Sequence, residues 1–361
     1  MRNMIRSVML VMLAVFLAGL VLSAGVMEAE AAPKYKWSFS HPWTRPLADR
    51  GYQLFIDKVK EYTNGAIEIE LFSNGLLGTH DESFHGVRDG SIEIAALSPY
   101  VNLVPGGMMN WMPWAISSFD EARIAYAYPD GVLFRIMQPA WREVDAELLF
   151  SCSQGGYGLA NNVRPLRHPD DLANLRFRVS ASLASVRTLG NMGAGTGMTM
   201  ETIPWAEIYN ALSRGVVDAI WSMWPSLVEE RHAEVLKHYT PVGFEWDSTN
   251  IVINKELWDS LEPEYQEAIY KAGAEAGQYL NDLYEEEERN YIKKLEENYP
   301  NITITWITPE ERAAWREKAN MPELWEEFAD PWLETIWPGE DKGEEIRAEL
   351  DKVREQALLK K

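Results

Sequence analysis

Along the first third of the chain, apolar and polar residues alternate at two different periods. Lys36-Trp37-Ser38-Phe39-Ser40 changes character at every residue, as a half-buried strand does. Leu47, Tyr52, Phe55, Val59 and Tyr62 then recur at helical spacing from Pro46 to Tyr62. Thr63-Asn64-Gly65 stops that helix and Ala66 to Phe72 alternates again, so the opening predicts a β-α-β unit. Asp81 to Arg88 reads as a further helix, Asp89-Gly90 as a turn and Ser91 to Leu97 as a third strand. This portion is α/β with largely parallel strands.

A second α/β unit is expected from Gly155-Gly156, where the apolar strand Glu147 to Ser151 runs into a loop ending at Pro169-Asp170-Asp171-Leu172. Leu175 to Val179 predicts its first strand, Thr202-Ile203-Pro204 through Arg214 a helix, and Val216 to Trp221 the next strand after Gly215. Ile251 to Asn254 is strand-like. Pro263 to about Asn298 carries a long helical pattern with Glu285 to Glu288 on a solvated face, and Thr303 to Trp306 is a short strand before C-terminal helices. Neither a repeat of about 20 to 50 residues nor a low-complexity tract interrupts the pattern.

The length of 361 residues suits two ordinary domains, each with its own core. Arg2 and Arg6 precede an apolar run from Val8 to Leu22, and the segment ends in Ala29-Glu30-Ala31-Ala32. Residues 1–31 therefore read as a signal peptide cleaved near Ala31. A membrane anchor is the weaker reading, because the run is short for a span and acidic Glu28 and Glu30 follow it. No later segment is long and apolar enough to cross a bilayer. Cys152 is the only cysteine, which excludes an intramolecular disulfide and a lipidated cysteine near the signal. The formal net charge is −21, which repels a phosphate backbone and excludes nucleic acid as a partner. An anionic ligand would then need a local arginine in partly desolvated surroundings.

Catalytic chemistry finds little support. His80 and His85 stand five apart, so they do not share a helical face as paired metal ligands at i and i+4 would. There is no Gly-x-Ser-x-Gly elbow, and Cys152 has no neighbour that suggests a nucleophile. Gly190, Gly193, Gly195 and Gly197 follow a helical segment rather than a strand, and read as a helix stop and connection instead of a phosphate loop. Neither a catalytic residue, a cofactor nor a metal is expected, and a secreted enzyme is the alternative of a different class.

Several short motifs fall in a telling order. They are Glu61-Tyr62-Thr63-Asn64-Gly65, Asn74-Gly75-Leu76-Leu77-Gly78, Asp89-Gly90-Ser91-Ile92-Glu93, Leu172 to Val179, and Glu207 to Leu212 running into Gly215-Val216-Val217-Asp218. Together, over nearly the whole mature chain, they resemble the substrate-binding proteins of tripartite ATP-independent periplasmic (TRAP) transporters. The resemblance implies a two-lobed periplasmic binding protein fold of α/β class, with crossing hinge strands and a long lobe-spanning helix. Lobe I would comprise residues 33–155 and about 248–286, and lobe II 156–247 and about 287–361. The ligand would be enclosed between them. The implied partners are a small organic anion and the small and large TRAP membrane subunits, driven by an ion gradient. The protein would work in the periplasm as a monomer without stable membrane insertion.

By the same resemblance, Arg178 would pair with the ligand's carboxylate. Strand alternation places Arg176 and Arg178 on one face and Leu175, Phe177 and Val179 on the other, and a guanidinium offers a planar fork for two oxygens. Many relatives hold a second arginine about twenty residues earlier, where Gly156-Tyr157-Gly158-Leu159 stands here. Arg164 and Arg167 lie nearby, in a loop whose prolines suggest surface positions. The chain has 15 tryptophans, and Trp205, Trp221, Trp224 and Trp246 are candidate walls of the cleft with Tyr100, against the alternative of core packing. His41, Ser98 and Ser222 are further candidates, each equally able to serve structure. Asp218 resembles a residue that holds the second lobe together. The expected ligand is an aromatic or indole-like monocarboxylate, with a compact sulfonate, a dicarboxylate or a zwitterion such as ectoine as alternatives.

Overall fold

A computed structural model describes residues 32–339 and 342–359; the signal peptide read at 1–31 lies outside them. The chain opens with β1 (Tyr35–Ser40), α1 (Pro46–Tyr62) and β2 (Ile67–Phe72). Pro46 in the first turn of α1 fixes a helical φ where no amide partner is needed, and Leu47, Tyr52, Phe55, Ile56 and Val59 form its buried face. α2 (His80–Asp89) starts at a capping box in which Thr79 and Glu82 satisfy each other's amides, and β3 (Ile94–Leu97) follows. After α3 (Phe119–Ala125) and α4 (Val132–Arg142) comes β4 (Ala146–Gly156), buried along almost its whole length.

β4 continues through Tyr157 into β5 (Gly158–Asn161) of a different sheet. β6 (Arg176–Val179), α5 (Leu183–Met192), β7 (Thr199–Thr202), α6 (Ile208–Ser213), β8 (Ala219–Ser222), α7 (Trp224–Val228) and β9 (His238–Thr240) complete most of that unit. β10 (Trp246–Asn254) returns to the first sheet. α8 (Lys255–Ser260) and α9 (Pro263–Asn298) follow, then β11 (Thr303–Ile304), α10 (Pro309–Lys318), α11 (Met321–Leu324), α12 (Asp330–Ile336) and α13 (Lys342–Leu358).

The first sheet has the order β2-β1-β3-β10-β4 and the second β11-β9-β5-β8-β6-β7. Both are mixed, since β10 runs antiparallel to β3 and β4, and β5 antiparallel to β8 and β9. Where the chain changes sheets, the Tyr157 amide donates to Glu245 O at 2.8 Å and the Gly243 amide to Tyr157 O at 2.9 Å. The two crossing segments thus stay paired to each other, a short ribbon that can flex without losing backbone hydrogen bonds to water.

The long helix expected from the sequence is α9, whose 36 residues span roughly 54 Å. Gly273 and Gly277 let it lie close on β4, because an added Cβ would sit 2.9 Å from the Phe150 ring and 3.0 Å from Ser151 O respectively. Farther along, the buried Tyr291 and Leu295 carry it onto the second lobe, where it contacts α7.

The C-terminal arm takes a different course from the boundary expected for lobe II. α13 packs on α3 and α4 of the first lobe, with Ile346, Leu350 and Val353 buried, and the Trp332 indole donates to Ile136 O at 3.3 Å. The apolar stripe of α13 matches the one left open on α3 and α4, so burial draws it there. The edge strand β7 was not read from the sequence either; its Thr199-Met200-Glu201-Thr202 is largely exposed and carries no apolar alternation.

Candidate functional site

Both sheets point the carboxyl ends of parallel strands at the space between the lobes, where ligands of open α/β sheets commonly bind. Residues 41–45 follow β1 and residues 98–100 follow β3 on one side. Arg178 ends β6, Trp205 follows β7, Trp221 and Ser222 end β8, and Glu230 lies two residues past α7 on the other. The crossing strands supply Gln154, Tyr157 and Asp247 as a floor.

Arg178 is 1% exposed. Its Nε donates to Ile203 O at 2.8 Å, while Nη1 is buried without a hydrogen-bond partner. The guanidinium carbon stands 5.4 Å from the Trp205 ring centre and 5.3 Å from that of Trp221. Burial lowers its pKa to about 10, partly offset by Tyr100, Tyr157 and Glu230. It remains a cation at neutral pH, desolvated and with a free donor. Arg176, two residues earlier on the same face, is half exposed and clamps Asp218 through two hydrogen bonds of 2.9 and 2.6 Å.

A second arginine, Arg45, enters from the first lobe and was not singled out by its sequence. Its Nε donates to Glu230 Oε1 at 2.9 Å, Nη1 donates to Gln154 Oε1 and lies 3.9 Å from Asp247 Oδ2, and its plane sits between Trp43 and Trp205 at 5.3 and 5.7 Å. Burial opposes its charge, yet Glu230 and Asp247 outweigh that and hold its pKa above the ordinary arginine value. Glu230 also accepts the Trp205 indole N–H. Asp247 accepts the Tyr157 hydroxyl at 3.0 Å, and burial raises its carboxyl against the pull of Arg45. A signal for Arg45 existed, a charged residue between a strand end and a proline-started helix. None existed for Glu230, which sits in an ordinary charged run, Glu229-Glu230-Arg231-His232.

The other expected residues divide. Tyr100 stacks on His80 at 4.5 Å and meets Trp111 edge-on at 5.5 Å; burial pushes its hydroxyl up to about 12 while Arg178 pulls it down. The Ser98 amide donates to His80 Nε2 at 3.1 Å, which orients that stack. Trp221 packs edge-on to Tyr157 at 6.2 Å, and Ser222 Oγ is buried without a partner. His41 is fully buried against Tyr52 and Trp43, and burial together with Arg45 drops it to about 3, so it is neutral.

Trp224 and Trp246 lie elsewhere. Trp224 is buried on Tyr239 at 4.6 Å in the second lobe, with the exposed Trp306 covering it at 5.9 Å. Trp246 meets Phe119 of α3 edge-on at 5.2 Å, because strand alternation gives the Arg45 and Tyr157 side of β10 to its neighbour Asp247. Arg164 donates to Asp171 O and Ala173 O, and Arg167 to Glu311, so both serve local structure. Gly158 is enforced by packing, since a Cβ there would lie 2.5 Å from Thr240 O and 2.7 Å from the Tyr239 ring.

Comparison with known proteins bears on this architecture. The family model DctP, bacterial extracellular solute-binding protein, family 7, matches residues 40–330. The chain belongs to that family. Within family 7 it is similar to the C4-dicarboxylate-binding periplasmic protein DctP of Rhodobacter capsulatus, 25% identical over 276 residues that cover 74% of this chain and 79% of the relative. It is also similar to the ectoine/5-hydroxyectoine-binding periplasmic protein UehA of Ruegeria pomeroyi, 24% identical and covering 85% and 88% of the two chains. Among solved structures, a TRAP periplasmic solute-binding protein of Sulfurospirillum deleyianum with bound succinate superposes with a TM-score of 0.75 at 22% identity, covering 88% of this chain and 99% of the other. One from Ochrobactrum anthropi gives 0.76 at 23% identity, covering 90% and 97%. This family 7 solute-binding protein therefore has the two-lobed α/β fold its motifs resemble. Among the described residues no helix is long and apolar enough to cross a membrane and no His, Cys, Asp and Glu cluster could hold a metal ion.

Proposed function

We propose that this family 7 protein captures one small organic monocarboxylate with an aromatic or indole-like body in the cleft and delivers it to TRAP membrane subunits, as an exported, monomeric periplasmic receptor without catalytic activity. The observation that carries the reading is the inequality of the two buried arginines. Arg45 is already matched by Glu230 and Asp247, whereas Arg178 holds an unpaired Nη1 in nearly complete burial. One spare cation suits one carboxylate. The Trp205 and Trp221 faces beside it, with Tyr100 and Ser98 opposite, would enclose a flat apolar body, and Ser222 Oγ would offer a further donor.

A zwitterion is the second reading, favoured by Asp247 Oδ2, a buried acid oxygen without a hydrogen-bond partner that a cationic group would satisfy. The similarity to the ectoine-binding UehA agrees with it. Calorimetric titration with indole-3-acetate, phenylpyruvate, succinate, D-glucuronate, taurine and ectoine separates these. Binding of an aromatic acid at least tenfold tighter than succinate is expected. Tight succinate binding with no aromatic response would overturn the monocarboxylate reading, and ectoine alone would select the zwitterion.

A further inference from the structure

The Arg45 and Glu230 pair joins opposite walls. Arg45 stands between β1 and α1 of the first lobe, while Glu230 and the indole that holds it, Trp205, belong to the second. The Arg45 guanidinium is flanked by one tryptophan from each lobe, Trp43 and Trp205. Its other partners, Gln154 and Asp247, lie on the crossing strands. We infer that Arg45 and Glu230 form an inter-lobe latch that holds the cleft shut, a pair of positioning residues distinct from the anion-binding Arg178.

The arrangement of partners makes the latch reversible. If the lobes part at the crossing strands, Arg45 keeps Gln154 and Asp247 on its own side and Glu230 keeps the Trp205 indole on the other. Only the ion pair and one ring contact are lost. Neither group is then stranded, since water enters as they separate. In the closed state the pair is nearly dry, with the Arg45 side chain 4% and the Glu230 side chain 10% exposed, so the attraction is far stronger than at a surface. Closure thereby draws on the protein's own charges and does not depend wholly on what is bound.

The inference rests on the two-lobed receptor reading but not on the identity of the acid, so its test uses ligand-free protein. Spin labels at Glu70→Cys and Arg214→Cys, exposed positions on the two lobes, report the inter-lobe distance, and Cys152 is buried and does not label. The parent should show a closed distance population without ligand. Glu230→Gln should reduce that population at least threefold. Trp205→Phe, which keeps the ring and removes the N–H, should reduce it less, and Arg45→Lys should act in the same direction as Glu230→Gln if the latter folds poorly. A parent with no closed population, or one that these variants leave unchanged, overturns the latch. Either result leaves the titration of acids to stand or fall by itself.

Discussion

Replacing Arg178 by methionine should move stability and binding in opposite directions. The folded chain carries a desolvated guanidinium whose pKa is lowered from 12.5 to about 10. At about 1.4 kcal/mol per pH unit, that burial costs the ligand-free fold roughly 3 kcal/mol. Methionine keeps the aliphatic stem between Trp205 and Trp221 but removes the donor to Ile203 O, a loss of about 1 kcal/mol. The balance leaves Arg178→Met more stable than the parent by about 2 kcal/mol, or about 3–5 °C in Tm. Binding should weaken by about 2–5 kcal/mol, roughly 30- to 5000-fold, because a buried charge partner is lost. Scanning calorimetry with and without indole-3-acetate reads both effects, since a ligand at free concentration L that binds only the folded state stabilises it by RT ln(1 + L/Kd) and so raises Tm less when Kd weakens. Arg178→Lys should keep part of the affinity, having the charge without the fork. A methionine variant that melts below the parent and binds with parental affinity would make Arg178 a structural arginine and refute the site.

Gly158→Ala should destabilise by about 1–3 kcal/mol through overpacking against Thr240 O and Tyr239, read by thermal melting, and Gly158→Arg should gain no succinate binding. Glu245 is buried with both carboxylate oxygens unpartnered, and burial together with Asp247 holds its carboxyl well above the ordinary 4.5. A raised carboxyl contributes its stability below pH 4.5 and gives it up as pH climbs toward the folded value, so Glu245→Gln should raise Tm at pH 7.5 and the gain should fade toward pH 4. Cys152 is fully buried and its thiol is pushed up by burial and by Asp247, so a thiol reagent should react with it only after denaturation; rapid reaction in the native state would contradict the packing.

The lobes were legible because their strands and helices carry strong apolar periods. β1, α1 and β2 fall within a residue of the segments that alternation predicts, and α9 matches the long pattern from Pro263 to about Asn298. α13 was misplaced because its stripe of Ile346, Leu350 and Val353 states that a partner exists but not which lobe supplies it. The same limit governed the site. Strand alternation put Arg176 and Arg178 on one face, yet it could not foresee that Ile203, Trp205 and Trp221 cover Arg178, 1% exposed, while Arg176 stays half exposed beside Asp218. Trp224 and Trp246 show the converse: large aromatics near strand ends look alike in sequence, and a single residue of phase on β10 turns Trp246 toward Phe119 and Asp247 toward Arg45.

The absence of an arginine at position 158 does not leave the cleft with one cation; it changes where the second comes from and what it is for. A side chain at Gly158 is blocked by Tyr239 and Thr240, so a strand-borne clamp cannot be accommodated there. Arg45 brings a guanidinium in from the first lobe instead, but it arrives together with two acids, Glu230 from the second lobe and Asp247 from the crossing strand. A second ligand carboxylate approaching Arg45 would have to displace Glu230 and would meet Asp247 as a like charge at short range, a cost of several kcal/mol in a desolvated site. On the latch inferred above, the positive charge of Arg45 serves to close the lobes and is withheld from the ligand. If Arg178 takes the ligand's carboxylate as proposed, a dicarboxylate would find one end bound there and the other opposed, whereas a monocarboxylate with an apolar body would meet the Trp205 and Trp221 rings and no second charge requirement.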